Sequence, residues 1–162
     1  METIKQERSP VSVSAAVYIS DKSGKLLLLQ QSKGLHEGTW GPPAGGMNPH
    51  ENPADTAKRE TKEEIGVNVD LLDLIGIYIV DRGEISSGVG FAFRGKLSSQ
   101  NILLENKGEI SAYNYFSIKE VKGLINNNQI YKPEYTLPVM KDWIKGIAYP
   151  LKLLRPIFGI TK

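Results

Sequence analysis

Three glutamates, Glu60, Glu63 and Glu64, stand at i, i+3 and i+4 in the run Arg59-Glu60-Thr61-Lys62-Glu63-Glu64. On a helix of about 3.6 residues per turn, that spacing confines the carboxylates to an arc of roughly 100°. Like charges so placed disfavour an isolated helix, and shelter from water deepens the conflict. A divalent cation resolves it. Mg²⁺ takes hard oxygen ligands and keeps its remaining positions for water or phosphate oxygens. The chemistry on offer is polarisation of a phosphate and acidification of a nearby water. Taken alone, such a run reads as a solvated face with Lys58 and Lys62 as partners. Here Glu51 lies just upstream, and Gly45 and Gly46 precede it where backbone can approach a phosphate or metal closely.

The element that positions these carboxylates is well marked. Asn52 can cap a helix, Pro53 suits its first turn and Gly66 suits the left-handed residue past its end, which predicts a helix over residues 53–65. Ala54, Ala57, Thr61 and Ile65 make its weakly apolar stripe, so the acids fall at the edge of the buried contact. Upstream, residues 11–20 and 26–29 flank the turn Asp21-Lys22-Ser23-Gly24 and read as a β-hairpin of mostly buried strands. Residues 31–50 are dense in Gly and Pro and read as loop with at most short strands. Residues 67–80 and 89–96 read as strands around a polar turn over 81–88, and residues 113–116 as a further strand. Helices are expected near 118–126 and 134–147, and residues 98–107 as the most mobile loop. Strands on both sides of a helix, followed by helices, predict an α/β sandwich with a mixed sheet. The expectation is a polar tail over residues 1–10 and one domain over residues 11–162, without repeats.

Composition narrows the ligand class. Twenty basic and 18 acidic residues nearly cancel to a net charge of +2 over 162 residues, which lacks the field of a protein that grips nucleic acid through its phosphates. A small phosphorylated ligand is favoured, and no stable nucleic-acid partner is expected. The absence of cysteine excludes a disulfide scaffold, a thiolate nucleophile and a Cys-based zinc site, and makes the cytoplasm the default expectation. No stretch approaches the ~18 apolar residues of a membrane span. A monomer or homodimer is expected.

The spacing Gly45, five residues, Glu51, seven residues, then Arg59-Glu60-Thr61-Lys62-Glu63-Glu64-Ile65-Gly66-Val67 resembles the box of the Nudix hydrolase family, G-x5-E-x7-R-E-U-x-E-E-x-G-U with U apolar. Thr61 departs from the usual aliphatic residue at the first U. Trp40 and Pro42-Pro43-Ala44-Gly45-Gly46 resemble the family's approach to the box. Residues 131–157 look similar to the C-terminal helix of bacterial Nudix phosphatases of nucleotides and thiamine-precursor diphosphates. The resemblance implies an α/β/α sandwich and hydrolysis of a diphosphate linkage with Mg²⁺, or Mn²⁺ as substitute. It implies that Glu60, Glu63 and Glu64 bind the metal, that the Ala44 carbonyl adds a ligand, and that Gly45 and Gly46 position the phosphates. Arg59 would orient carboxylates, Glu51 among them. It further implies a loop acid beyond the box as base or extra ligand, with Glu109 favoured over Glu105.

The substrate expected first is a nucleoside di- or triphosphate or a similar small diphosphate. A nucleotide sugar or dinucleotide comes second, and a non-catalytic nucleotide- or RNA-binding regulator or an RNA 5′-end hydrolase are the contrasting readings. His36 and His50 read as surface residues, Trp40 as a packing anchor, and Phe91, Phe93, Tyr113, Tyr115 and Phe116 mostly as core. The tail over residues 144–160 reads as docked on the domain or on a partner subunit, because Pro150 and Pro156 interrupt any membrane-surface helix.

Overall fold

A computed structural model of the chain describes residues 11–81, 87–104 and 108–155. Strand β1 (Val11–Ile19) leads through a tight turn to β2 (Leu26–Gln31), followed by β3 (Trp40–Gly41) and β4 (Ala44–Gly46) in the Gly/Pro segment. Helix α1 (Pro53–Ile65) comes next, then the long strands β5 (Val69–Asp81) and β6 (Ser87–Leu97), β7 (Ile110–Phe116), and helices α2 (Ile118–Asn126) and α3 (Pro133–Ile144). A four-stranded mixed sheet runs β4-β1-β6-β5, with β1 and β6 parallel, and a three-stranded antiparallel sheet runs β3-β2-β7.

The run Leu26-Leu27-Leu28-Leu29 is apolar throughout because both faces of β2 are covered. Leu27 and Leu29 join Ala15, Val17, Phe93 and the buried face of α1, while Leu26 and Leu28 join Tyr18, Val121, Met140 and Trp143 on the side of α2 and α3. Alternate residues of a strand point to opposite faces, so continuous hydrophobicity is what a strand between two helical layers requires. The result is the expected α/β/α sandwich.

The hairpin expected over residues 11–29 needs correction. The turn is present, with Asp21 N–H donating to the Lys25 carbonyl and Asp21 Oδ1 accepting from the Ser23 and Lys25 amides. Beyond one bridge between Ser20 and Leu26, however, the strands part into different sheets. Each finds a longer partner elsewhere, β1 against β6 and β2 against β7.

Of the loop expected to be most mobile, residues 98–107, the described part is 98–104, and residues 105–107 lie outside the described residues. Leu103 N–H donates to the Ile65 carbonyl at 3.0 Å, and Ile102 and Leu104 pack on the α1-side core, so residues 98–104 are tied to the end of α1. The C-terminal tail docks as expected as far as it is described. Leu74 and Tyr149 exchange backbone hydrogen bonds at 2.9 and 2.7 Å, and Leu151 and Leu154 pack on the core. The tail of residues 1–10, Glu105 and residues 156–162 lie outside the described residues.

Candidate active site

Helix α1 begins and ends as its sequence dictates. Asn52 Oδ1 accepts from the Ala54 and Asp55 amides at 2.9 and 3.0 Å, and Gly66 adopts φ 70° with its N–H on the Lys62 carbonyl. Thr56, Ala57, Thr61 and Ile65 are buried, which aims the acidic stripe at β4 and the neighbouring loops. Thr61, the departure from an aliphatic residue, is fully buried, and its hydroxyl donates to the Ala57 carbonyl at 2.8 Å. The polar group is thereby satisfied within the helix.

Arg59 organises the site. Its Nε and Nη2 donate to Glu51 Oε1 and Oε2, its Nη1 donates to Glu60 Oε1 at 2.7 Å and Glu63 Oε2 at 3.1 Å, and Nη2 also donates to the Gly46 carbonyl at 2.8 Å. Glu51 additionally accepts from the Asn48 amide at 3.0 Å and the buried Thr56 hydroxyl at 2.9 Å. These partners, Arg59 foremost, hold its carboxyl down to about 2. Glu51 is therefore a brace between the loop and α1, saturated by donors.

Gly45 lies against the Glu60 carboxylate. A Cβ built on it would overlap that carboxylate and force it to swing aside, so glycine lets β4 and Glu60 keep this arrangement. A Cβ on Gly46 would meet nothing within 4 Å. Beside them the Ala44 amide donates to Glu64 Oε2 at 3.2 Å. Burial pushes the Glu64 carboxyl up to about 8, against the Ala44 hydrogen bond, with the charges of Glu60, Glu109 and Glu63 adding to the rise. Glu109 is thus close enough for its charge to be felt at Glu64. Its own backbone is fixed, since its carbonyl accepts from the Ser32 amide at 2.8 Å.

The structure brings Ala44, Gly45, Gly46, Glu51, Arg59, Glu60, Glu63, Glu64 and Glu109 to one region. Among the described residues no three acidic or histidine side chains already converge as a finished metal cage, and Arg59 occupies the space between Glu51, Glu60 and Glu63. The donor set nonetheless fits a hard divalent cation. It consists of carboxylate oxygens, one of them held against its preferred charge by burial and three like neighbours.

Other residues take bland roles. Trp40 packs edge-on against Phe116 with ring centroids 4.9 Å apart, and His36 packs against Tyr131 at 5.2 Å. Sequence reasoning missed Asn48 and Thr56, which complete the shell of Glu51, and Ser32, which anchors the Glu109 loop from β2. Thr56 and Ser32 carry no motif signal, because their partners are set by the fold rather than by spacing.

A family model for the NUDIX domain matches residues 10–136, and the chain belongs to the Nudix family. It is similar in structure to a NUDIX hydrolase from Nitrosomonas europaea, at 25% identity with a TM-score of 0.74 over 91% of this chain and 97% of that one. In sequence it is similar to bis(5'-nucleosyl)-tetraphosphatase (asymmetrical) of Mus musculus, 47% identical over 51 residues, which is 32% of this chain and 33% of that protein. It is also similar to an RNA pyrophosphohydrolase of Erythrobacter litoralis, 36% identical over 61 residues, 38% of this chain and 37% of that protein. These matches span about a third of the length of each curated relative.

Proposed function

We propose that this chain is a divalent-metal-dependent pyrophosphohydrolase that cleaves a diphosphate linkage in a nucleoside di- or triphosphate or a similar small diphosphate. The observation that carries the reading is the stacking of Gly45 on the Glu60 carboxylate beside Glu63 and Glu64, with Arg59 and Glu51 fixing the assembly. Glu60, Glu63 and Glu64 would hold Mg²⁺, with Mn²⁺ as substitute and the Ala44 carbonyl as a further ligand. Bound there, the cation supplies Lewis-acid polarisation of the phosphate and a lowered pKa for a neighbouring water.

The protein's own groups do the rest. Gly45 and Gly46 let backbone come close to the chain of phosphates. Arg59 holds the carboxylates of Glu51, Glu60 and Glu63 on one side of the site through charge-assisted hydrogen bonds. Glu109 takes the proton of the attacking water, the water oxygen bonds to phosphorus, and the bridging oxygen leaves with its electron pair as a phosphate.

A dinucleotide substrate is the second reading, favoured by the 47% identity to a tetraphosphatase. The test is phosphate release from nucleotides, dinucleoside polyphosphates, nucleotide sugars and small diphosphates, with Mg²⁺ and with excess chelator. Turnover that vanishes in chelator, and falls at least ~10²-fold in Glu63→Gln and Glu64→Gln, is expected. Full activity in chelator, or near-normal rates in both variants, would overturn the reading.

A further inference from the structure

An anionic substrate approaching Glu60, Glu63, Glu64 and Glu109 meets like charge, so protein cations bear on where it settles. Arg59 is spent. A guanidinium has five N–H donors, and the five hydrogen bonds from Arg59 go to Glu51 twice, Glu60, Glu63 and the Gly46 carbonyl. A different cation stands on the Glu109 side. Ser32 is bound to that loop twice, its amide to the Glu109 carbonyl at 2.8 Å and its hydroxyl to the Gly108 carbonyl at 3.0 Å. The next residue, Lys33, extends back over the loop, and a Cβ built on Gly108 would lie 3.7 Å from its Nζ. Lys33 is exposed, and among the described residues no carboxylate forms an ion pair with it.

We propose that Lys33 is a phosphate-contacting residue of this site, its ammonium binding the diphosphate of the substrate from the lip that carries Glu109. The inference rests on the hydrolase reading above and adds the residue that meets the anion. An ammonium offers three donors on a flexible stem and acts as a point charge, so it suits a phosphate oxygen whose position shifts during reaction. Ser32 ties the backbone beside Lys33 to that of Gly108 and Glu109, so the cation and the acid sit on one backbone unit. Lys33 thereby acts mainly in binding.

The test measures binding of methylenediphosphonate, a non-hydrolysable diphosphate, in Mg²⁺ by calorimetry and thermal shift, beside KM and kcat for a turned-over substrate. Lys33→Ala is expected to melt like the wild type without ligand, to bind the probe about 5- to 20-fold more weakly, and to raise KM with kcat within about threefold. Lys33→Arg is expected to recover most of the affinity, and Lys145→Ala, just past the end of helix α3, to change nothing. Probe binding by Lys33→Ala equal to that of wild type, or no probe binding by the wild type, overturns the proposal. If no diphosphate compound is hydrolysed while Lys33-dependent probe binding persists, the hydrolase reading falls and the anion contact stands.

Discussion

Arg59 grips Glu51 along one edge of its guanidinium, Nε donating to Oε1 at 2.6 Å and Nη2 to Oε2 at 3.0 Å. This bidentate geometry joins the loop before α1 to the middle of the helix, and it gives Glu51 a share in the acid stability of the protein, beside Asp21 and Glu120, whose carboxyls are also held below their ordinary values. The unfolded chain binds the Glu51 proton near the ordinary 4.5, the folded chain only near 2. A depressed folded pKa contributes stability that is complete above about pH 4.5 and drains away as pH falls through about 2. Wild-type urea midpoints are therefore expected to drop across that window. Glu51→Gln should be less stable at neutral pH and flatter in acid. Parallel acid profiles for the two proteins would remove Glu51 as the cause.

Neighbouring glycines should behave unlike one another. Gly45→Ala puts a methyl group into the Glu60 carboxylate, while Gly46→Ala meets nothing within 4 Å. The first is expected to cost on the order of 1–3 kcal/mol of stability, as overpacking does, and the second less than about 0.5. Chemical denaturation of both variants decides this, and equal losses would contradict the stacking of β4 on Glu60.

Gly66 ends α1 at φ 70°, in the left-handed region that a β-branched residue resists. Gly66→Val is expected to lower Tm by roughly 2–8 °C while leaving kcat near wild type, since strain of about 1–2 kcal/mol acts outside the chemistry. An unchanged Tm would mean that the helix tolerates another ending.

Glu109→Gln is expected to lower kcat and kcat/KM together with little change in metal affinity, the pattern of a contact made in the transition state. Glu105→Gln is expected to do less. A Mg²⁺ titration of both variants separates base from ligand, and a larger defect in Glu105→Gln would reverse the choice.

What the sequence reveals is what local chemistry decides. Asn52, Pro53 and Gly66 specify α1 within their own turns, and the structure places the helix where they put it, Pro53–Ile65. Ser117 and Glu120 close a capping box on α2, a local signal that the reading of that helix did not use. The separation of β1 from β2 escaped because a buried strand of alternating or continuous apolar residues does not encode its partner, and the Asp21 turn fits a hairpin equally well. The same limit hid the bonds from Ser32 to the Glu109 loop, which join positions distant in sequence through the pairing of β2 with β7.

The parallel pairing of β1 with β6 has a consequence for biosynthesis. Val11 lies opposite Ser87 and Ile19 opposite Gly95, so the strand made first waits for one made much later. At about 5–20 residues per second, the nascent chain carries Tyr18 and Val17 without their sheet neighbour for on the order of several seconds. Through that interval the edge of β1 is open to other chains, and a ribosome stalled before residue 97 would present it indefinitely. Synthesis rate and chaperone supply thus bear on the yield of this protein, because its central β1–β6 seam closes only after more than half of the chain is made.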